Sequence, residues 1–148
     1  MVKISKYFSL EEMLESQTAI RKNILEQFEP SDAVVENLKK LTNKILDPIR
    51  EKLESPIVVS SGYRCKRLNK AIGGAIDSQH PEGKAADIKS VKLNTQELFD
   101  FILTLNLPFD QIIQEFDSWV HISFDEKRNR RQVLKAIKKN GKTQYIKI

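Results

Sequence analysis

Apolar positions in the first third of the chain recur at helical intervals. Val34, Val35, Leu38, Leu41, Ile45, Leu46, Ile49 and Leu53 share one face behind a Pro30-Ser31-Asp32 start. They predict one long helix that Pro48 kinks or splits and Ser55-Pro56 ends. Ahead of it, Ser9 and Glu12 have the spacing of a capping box for a short helix near 10–15. Residues 16–28 read as a second short helix followed by loop. From residue 57 the pattern changes. Residues 57–60 are β-branched and strand-like, with Gly62 allowing a sharp exit. Residues 65–72 read as a helix stopped by Gly73-Gly74. A short strand at 85–88 and an amphipathic helix at 95–105 follow. Segments 111–116 and 119–124 predict paired strands around a tight turn at Asp117-Ser118. Segments 132–138 and 143–148 flank Asn140-Gly141, a strong hairpin signal.

Helices first, then strands with one inserted helix, give an α+β class: helices packed on a small antiparallel sheet. With 148 residues and no linker or repeat, the whole chain, 1–148, reads as one domain. No apolar run approaches the roughly 18 residues of a membrane span. The first residues, MVKISKYFSLEEML, lack an apolar signal core, so synthesis in the cytoplasm without a secretion signal is expected. A single cysteine, Cys65, excludes an internal disulfide. The net charge of +5 is uneven. Residues 126–148 hold nine Lys/Arg and one acid, a net of +8. Such an end suits an anionic polymer such as cell wall, or equally a solvated, lysine-rich edge hairpin. With only Tyr145 interleaved among these charges, a nucleic-acid interface is not expected.

The chain has two histidines, and each stands in a distinctive setting. His80 lies in SQHPEGKAADI, seven residues before Asp87, and His121 lies in SWVHISF. Two imidazoles and a carboxylate are one ligand set of catalytic zinc, which leaves a fourth position open. Pro81 and Gly83 exclude a helix between His80 and Asp87, so the chain turns from a loop-borne imidazole into a strand-borne carboxylate. His121 would then arrive from a neighbouring strand. From spacing alone, a surface His80 and a half-buried His121 without any metal fit equally well.

The segments SSGYRCKRLNKAIGG, SQHPEGKAADI and EFDSWVHISF, in that order, resemble the zinc peptidases that cut bacterial peptidoglycan. These are the D-Ala-D-Ala carboxypeptidases and dipeptidases and the L-alanyl-D-glutamate endopeptidases of phage endolysins. Ser61-Gly62-Tyr63-Arg64, Ser78, His80, Gly83, Ala85, Asp87, Trp119 and His121 fall on the family's pattern, and the resemblance spans roughly residues 8–137. It implies zinc held by His80, Asp87 and His121, and an active-site arginine at Arg64. Arg64 would hold a substrate carboxylate or a developing oxyanion. Ser78 would bind substrate or orient its loop. The family places its acid/base in an E-x-x-H or D-x-x-H arrangement, but Ser118 stands three residues before His121 and cannot serve. Glu115 and Asp117 remain. A three-residue turn would place Glu115 across from His121 on the same face; a two-residue turn would put Gln114 there. Glu115 is the favoured base, with Asp117 as the backup. The expected function is zinc-dependent hydrolysis of stem-peptide bonds next to Ala by a monomeric, phage-lysis type enzyme. It would act on the wall after release or as part of a phage particle. The alternative is a non-enzymatic, zinc-stabilised structural or virion component of the same fold.

Overall fold

A computed structural model describes all 148 residues. The N-terminal part is helical: α1 (Leu10–Leu14), α2 (Gln17–Arg21), a 3-10 turn at Leu25–Phe28, α3 (Asp32–Leu41) and α4 (Asp47–Leu53). The Ser9/Glu12 capping box forms as its spacing predicts. The long apolar stripe becomes α3 and α4, joined through a π-helical turn at Thr42–Leu46. Pro48 has no N–H to give to the preceding turn, and the wider turn just before it absorbs that defect without a break. Leu38, Leu41, Ile45, Leu46 and Ile49 are wholly buried along it.

After β1 (Ile57–Ser61) and α5 (Lys66–Ala71) come a 3-10 turn at His80–Glu82, β2 (Ala85–Ser90) and α6 (Thr95–Thr104). The chain then runs through β3 (Gln111–Glu115), β4 (Trp119–Ser123), β5 (Gln132–Lys139) and β6 (Lys142–Lys147). All six strands form one sheet in the order β1-β2-β4-β3-β5-β6. The expected small antiparallel sheet is therefore corrected to a larger, mixed one, because β5 pairs with β3 in parallel. The Asn140-Gly141 turn closes β5 onto β6 with both residues at positive φ, as its sequence predicts. The hairpin signal did not say which strand β5 would join. The 124–131 link crosses the start of β3, and Asp110 fastens it there by accepting hydrogen bonds from Arg130 N, Nε and Nη2 at 2.9–3.0 Å.

Side chains alternate across the sheet. Ala86, Ile88, Ile112, Val120 and Ile122 face the main core, where they meet residues of α1, α3, α4 and α6. Asp87, His121 and Glu115 take the opposite face. A bulge in β1 between Val59 and Ser61 brings Ser61 opposite Asp87, although Ile57 and Val59 pack on the core side. No helix is long and apolar enough to cross a membrane.

Candidate metal and active site

Two loop residues set the position of His80. Its Nδ1–H donates to the Gly62 carbonyl at 2.7 Å, and its own carbonyl accepts from Arg64 N at 3.3 Å. Gly62 has to be glycine: a Cβ there would stand 2.5 Å from the Met13 carbonyl of α1. Gly83 closes the His80 turn at φ 73°, and a Cβ on it would stand 2.8 Å from the Val34 carbonyl of α3. Ser78 Oγ accepts from His80 N at 3.1 Å, which makes it an orienting residue of this loop. The other two members lie on adjacent strands. Asp87 of β2 and His121 of β4 are direct cross-strand partners.

The result is a compact trio. One ligand atom from each of His80, Asp87 and His121 lies within 4.8 Å of the others. His121 Nδ1 is 3.0 Å from Asp87 Oδ1, and His80 Nε2 is 3.4 Å from the same oxygen. The two imidazoles meet edge to face at 5.1 Å between centroids. All three residues are buried. Burial lowers the His80 pKa, which favours the neutral ring that binds metal. Burial also opposes the charge on Asp87, but the two imidazoles outweigh it and hold the carboxyl far below its usual range.

These features fit a metal. The Gly62 hydrogen bond fixes the His80 proton on Nδ1, so Nε2 presents a lone pair. That Nε2 is buried without a hydrogen-bond partner, and it faces a carboxylate and a second imidazole. A cation among the three satisfies the orphaned atom and neutralises the carboxylate. The donor set, two nitrogens and one carboxylate oxygen, is one that catalytic zinc takes.

Glu115 is half-buried at the end of β3. The β3–β4 turn has three residues, Phe116 to Ser118, but Glu115 lies opposite Trp119 and it is Ile113 that lies opposite His121. The expected pairing of Glu115 with His121 is thus off by two positions. The face is as expected, since Trp119 and His121 are two residues apart. Phe116 leaves the strand with φ 57°, and its ring packs on Ile113, Leu134 and Ala136 and edge-on to Trp119. Burial raises the Glu115 pKa; the His121 charge opposes this and the Asp87 charge adds to it. Asp117 is exposed, and its carboxylate is bound by the Gln114 side chain. Gln114 belongs to the core face and also bonds Gln96 of α6. Asp117 is therefore a turn residue drawn away from the trio.

Arg64 is partly buried, and its Nε has no hydrogen-bond partner. Burial lowers its pKa, while Asp87 and Glu115 both act to keep it charged, which places the guanidinium within their field. Gln27, wholly buried, holds this segment from behind. Its Nε2 donates to the Leu14 and Tyr63 carbonyls at 2.8 Å, and its Oε1 accepts from Cys65 N at 2.9 Å. Nothing in its sequence setting marks Gln27 for that task. Gln79, next to His80, donates to the fully buried Asp110 at 3.0 Å. Asp110 thus ties the His80 loop to the β5 link, a role that a polar residue before a strand does not announce. Cys65 caps α5 and is buried, with no histidine bonded to it.

The peptidase M15 family model matches residues 6–123, which include every residue of this site. The chain belongs to the peptidase M15 family. Peptidases of this family are zinc-dependent, in agreement with the donor set described above. No curated protein matches the chain. The M15 match ends at Ser123, the last residue of β4.

Proposed function

We propose that this M15 metallopeptidase hydrolyses peptide bonds next to Ala in peptidoglycan stem peptides, as a carboxypeptidase or endopeptidase of phage-type cell-wall lysis. The observation that carries the reading is the half-buried Glu115 on the face of the His80, Asp87 and His121 trio, with its pKa raised. A structural zinc site has no need of a proton acceptor held there.

His80, Asp87 and His121 would hold the zinc, which supplies Lewis acidity to acidify water and polarise a carbonyl. Glu115 accepts the proton of the attacking water on its carboxylate and passes it to the nitrogen of the leaving amine. Its half-buried place on the face of the trio sets it to take that proton and return it. The Arg64 guanidinium holds a carboxylate of the peptide or the oxygen that gains charge at the reacting carbonyl. Its unpaired Nε and the charges of Asp87 and Glu115 that act on it support that assignment.

Digestion of purified peptidoglycan followed by mass analysis of the fragments tests the reading. The zinc-loaded protein should release D-Ala or expose new L-Ala carboxyl and D-Glu amino ends. Glu115→Gln should keep its zinc and lose about 10²–10⁴-fold in turnover. If the zinc-loaded protein produces none of these ends from several wall types, the non-enzymatic reading replaces this one.

A further inference from the structure

β5 and β6 lie beyond the residues that the family model matches, yet they continue the face that carries the site. Register joins them to it in two rows. Asp87, His121, Ile113, Leu134 and Lys147 are successive cross-strand partners over β2, β4, β3, β5 and β6. Trp119, Glu115, Ala136 and Tyr145 form the next row. Opposed residues share a face, so Tyr145 and Lys147 stand on the side of the sheet that holds Glu115 and the trio.

Between the two ends the sheet face is apolar, but Ile113, Leu134 and Ala136 on it are buried, with Phe116 packed against them. Ile113, Leu134 and Ala136 form a small cluster of their own, apart from the main core. Ala136 puts only a methyl group between Glu115 and Tyr145. At about 4.8 Å per strand, Tyr145 is about 10 Å from Glu115, and Lys147 is about 14 Å from His121. That is the span of about three to four residues of extended peptide. Tyr145 is 55% exposed and its hydroxyl makes no hydrogen bond within the chain. Lys147 lies at the end of the sheet near Arg130 and Arg131, in a groove that also takes in Val133 of the main-core side. Arg130 is bound to Asp110, and Arg131 to Asn106 and the Leu107 carbonyl. The Lys147 side chain alone of the three enters no ion pair or hydrogen bond, in a segment of net charge +8.

We propose that the β5–β6 hairpin is the distal part of the substrate cleft, and that Tyr145 and Lys147 form a subsite for an acidic residue about three to four positions from the bond that is cut. The peptide crosses over the side chains that cover Ile113, Leu134 and Ala136, Phe116 among them, and Lys147 meets its carboxylate. The proposal rests on the peptidase reading for its substrate class.

The probes are two forms of the stem pentapeptide L-Ala-γ-D-Glu-L-Lys-D-Ala-D-Ala, with the D-Glu α-carboxyl free or amidated. The cut that is read is release of the terminal D-Ala, which sets D-Glu three positions from the bond; cleavage at L-Ala-D-Glu instead overturns the subsite. Cleavage is measured with the zinc-loaded full chain, and binding by calorimetry on its zinc-loaded Glu115→Gln form. The free form should be preferred about three- to tenfold, the worth of one partly exposed charge-assisted contact. Lys147→Gln should abolish that preference through KM and Kd, and Tyr145→Ala should weaken both forms alike. Equal treatment of the two forms, or a preference that survives Lys147→Gln, overturns the subsite. Cleavage without preference leaves the peptidase reading standing and removes the subsite. Lys147-dependent binding without cleavage does the reverse, and neither binding nor cleavage removes both.

Discussion

Replacing Asp110 with asparagine should loosen both the sheet and the His80 loop. The carboxylate is wholly buried and accepts four hydrogen bonds at 2.9–3.0 Å, three from Arg130 and one from Gln79. Asparagine keeps the shape but turns one acceptor into a donor, set against groups that only donate. Breaking a buried ion pair costs about 3–5 kcal/mol. The Arg130 side chain is 38% exposed, so water takes up part of the loss and about 2–3 kcal/mol is expected. For a chain of this size that is a fall of about 5–10 °C in Tm. The sign with pH follows from the direction of the Asp110 shift. Burial raises its pKa, but the Arg130 hydrogen bonds and charge win, and the net value is lowered. A lowered folded-state pKa adds stability above the unfolded value, near 4, that is lost as pH falls through the folded value. Urea unfolding of the zinc-free chain at pH 7 and pH 3 measures both effects. A difference between the proteins under about 1 kcal/mol at pH 7 would refute the clamp. A difference that does not shrink at pH 3 would refute its ionic character.

Two further outcomes test the site itself. Protein purified without added metal should carry close to one zinc per chain by elemental analysis, and His80→Ala and His121→Ala should each lose it; full retention by either variant removes that residue from the ligand set. Arg64→Lys keeps a charge but not the two-pronged geometry, so it should lower kcat/KM about tenfold or more while zinc content stays put, and an unaffected kcat/KM would return Arg64 to a merely structural role.

The trio was legible in the sequence because its chemistry is concentrated in short segments. Pro81 and Gly83 force the turn between His80 and Asp87, and two strands of matched parity then set Asp87 beside His121. The local signals at Ser9 and Asn140-Gly141 were legible for a similar reason, since a cap or a turn is decided by a handful of adjacent residues. The register of β3 on β4 was not. It depends on an apolar residue, Phe116, adopting a left-handed conformation that its side chain disfavours. Its contacts with Trp119 and the Ile113, Leu134 and Ala136 cluster offset that strain, and two of those partners, Leu134 and Ala136, come from β5, distant in the sequence. The parallel pairing of β5 with β3 is equally non-local. It depends on Asp110 meeting Arg130 across twenty residues.

Gln27 and Gln79 were illegible for a further reason: each bonds to backbone or to a carboxylate contributed from elsewhere, and any polar residue satisfies the local pattern until that chain is in place. The sequence therefore shows which groups can bind a metal or move a proton. The buried amides and the Asp110 clamp decide whether those groups are held close enough to act together. Because the clamp also fixes the start of β5, the device that steadies His80 is the one that lays the Tyr145 and Lys147 hairpin alongside the site. A change at Asp110 should consequently disturb metal binding and distal recognition together, whereas Lys147→Gln should disturb recognition alone.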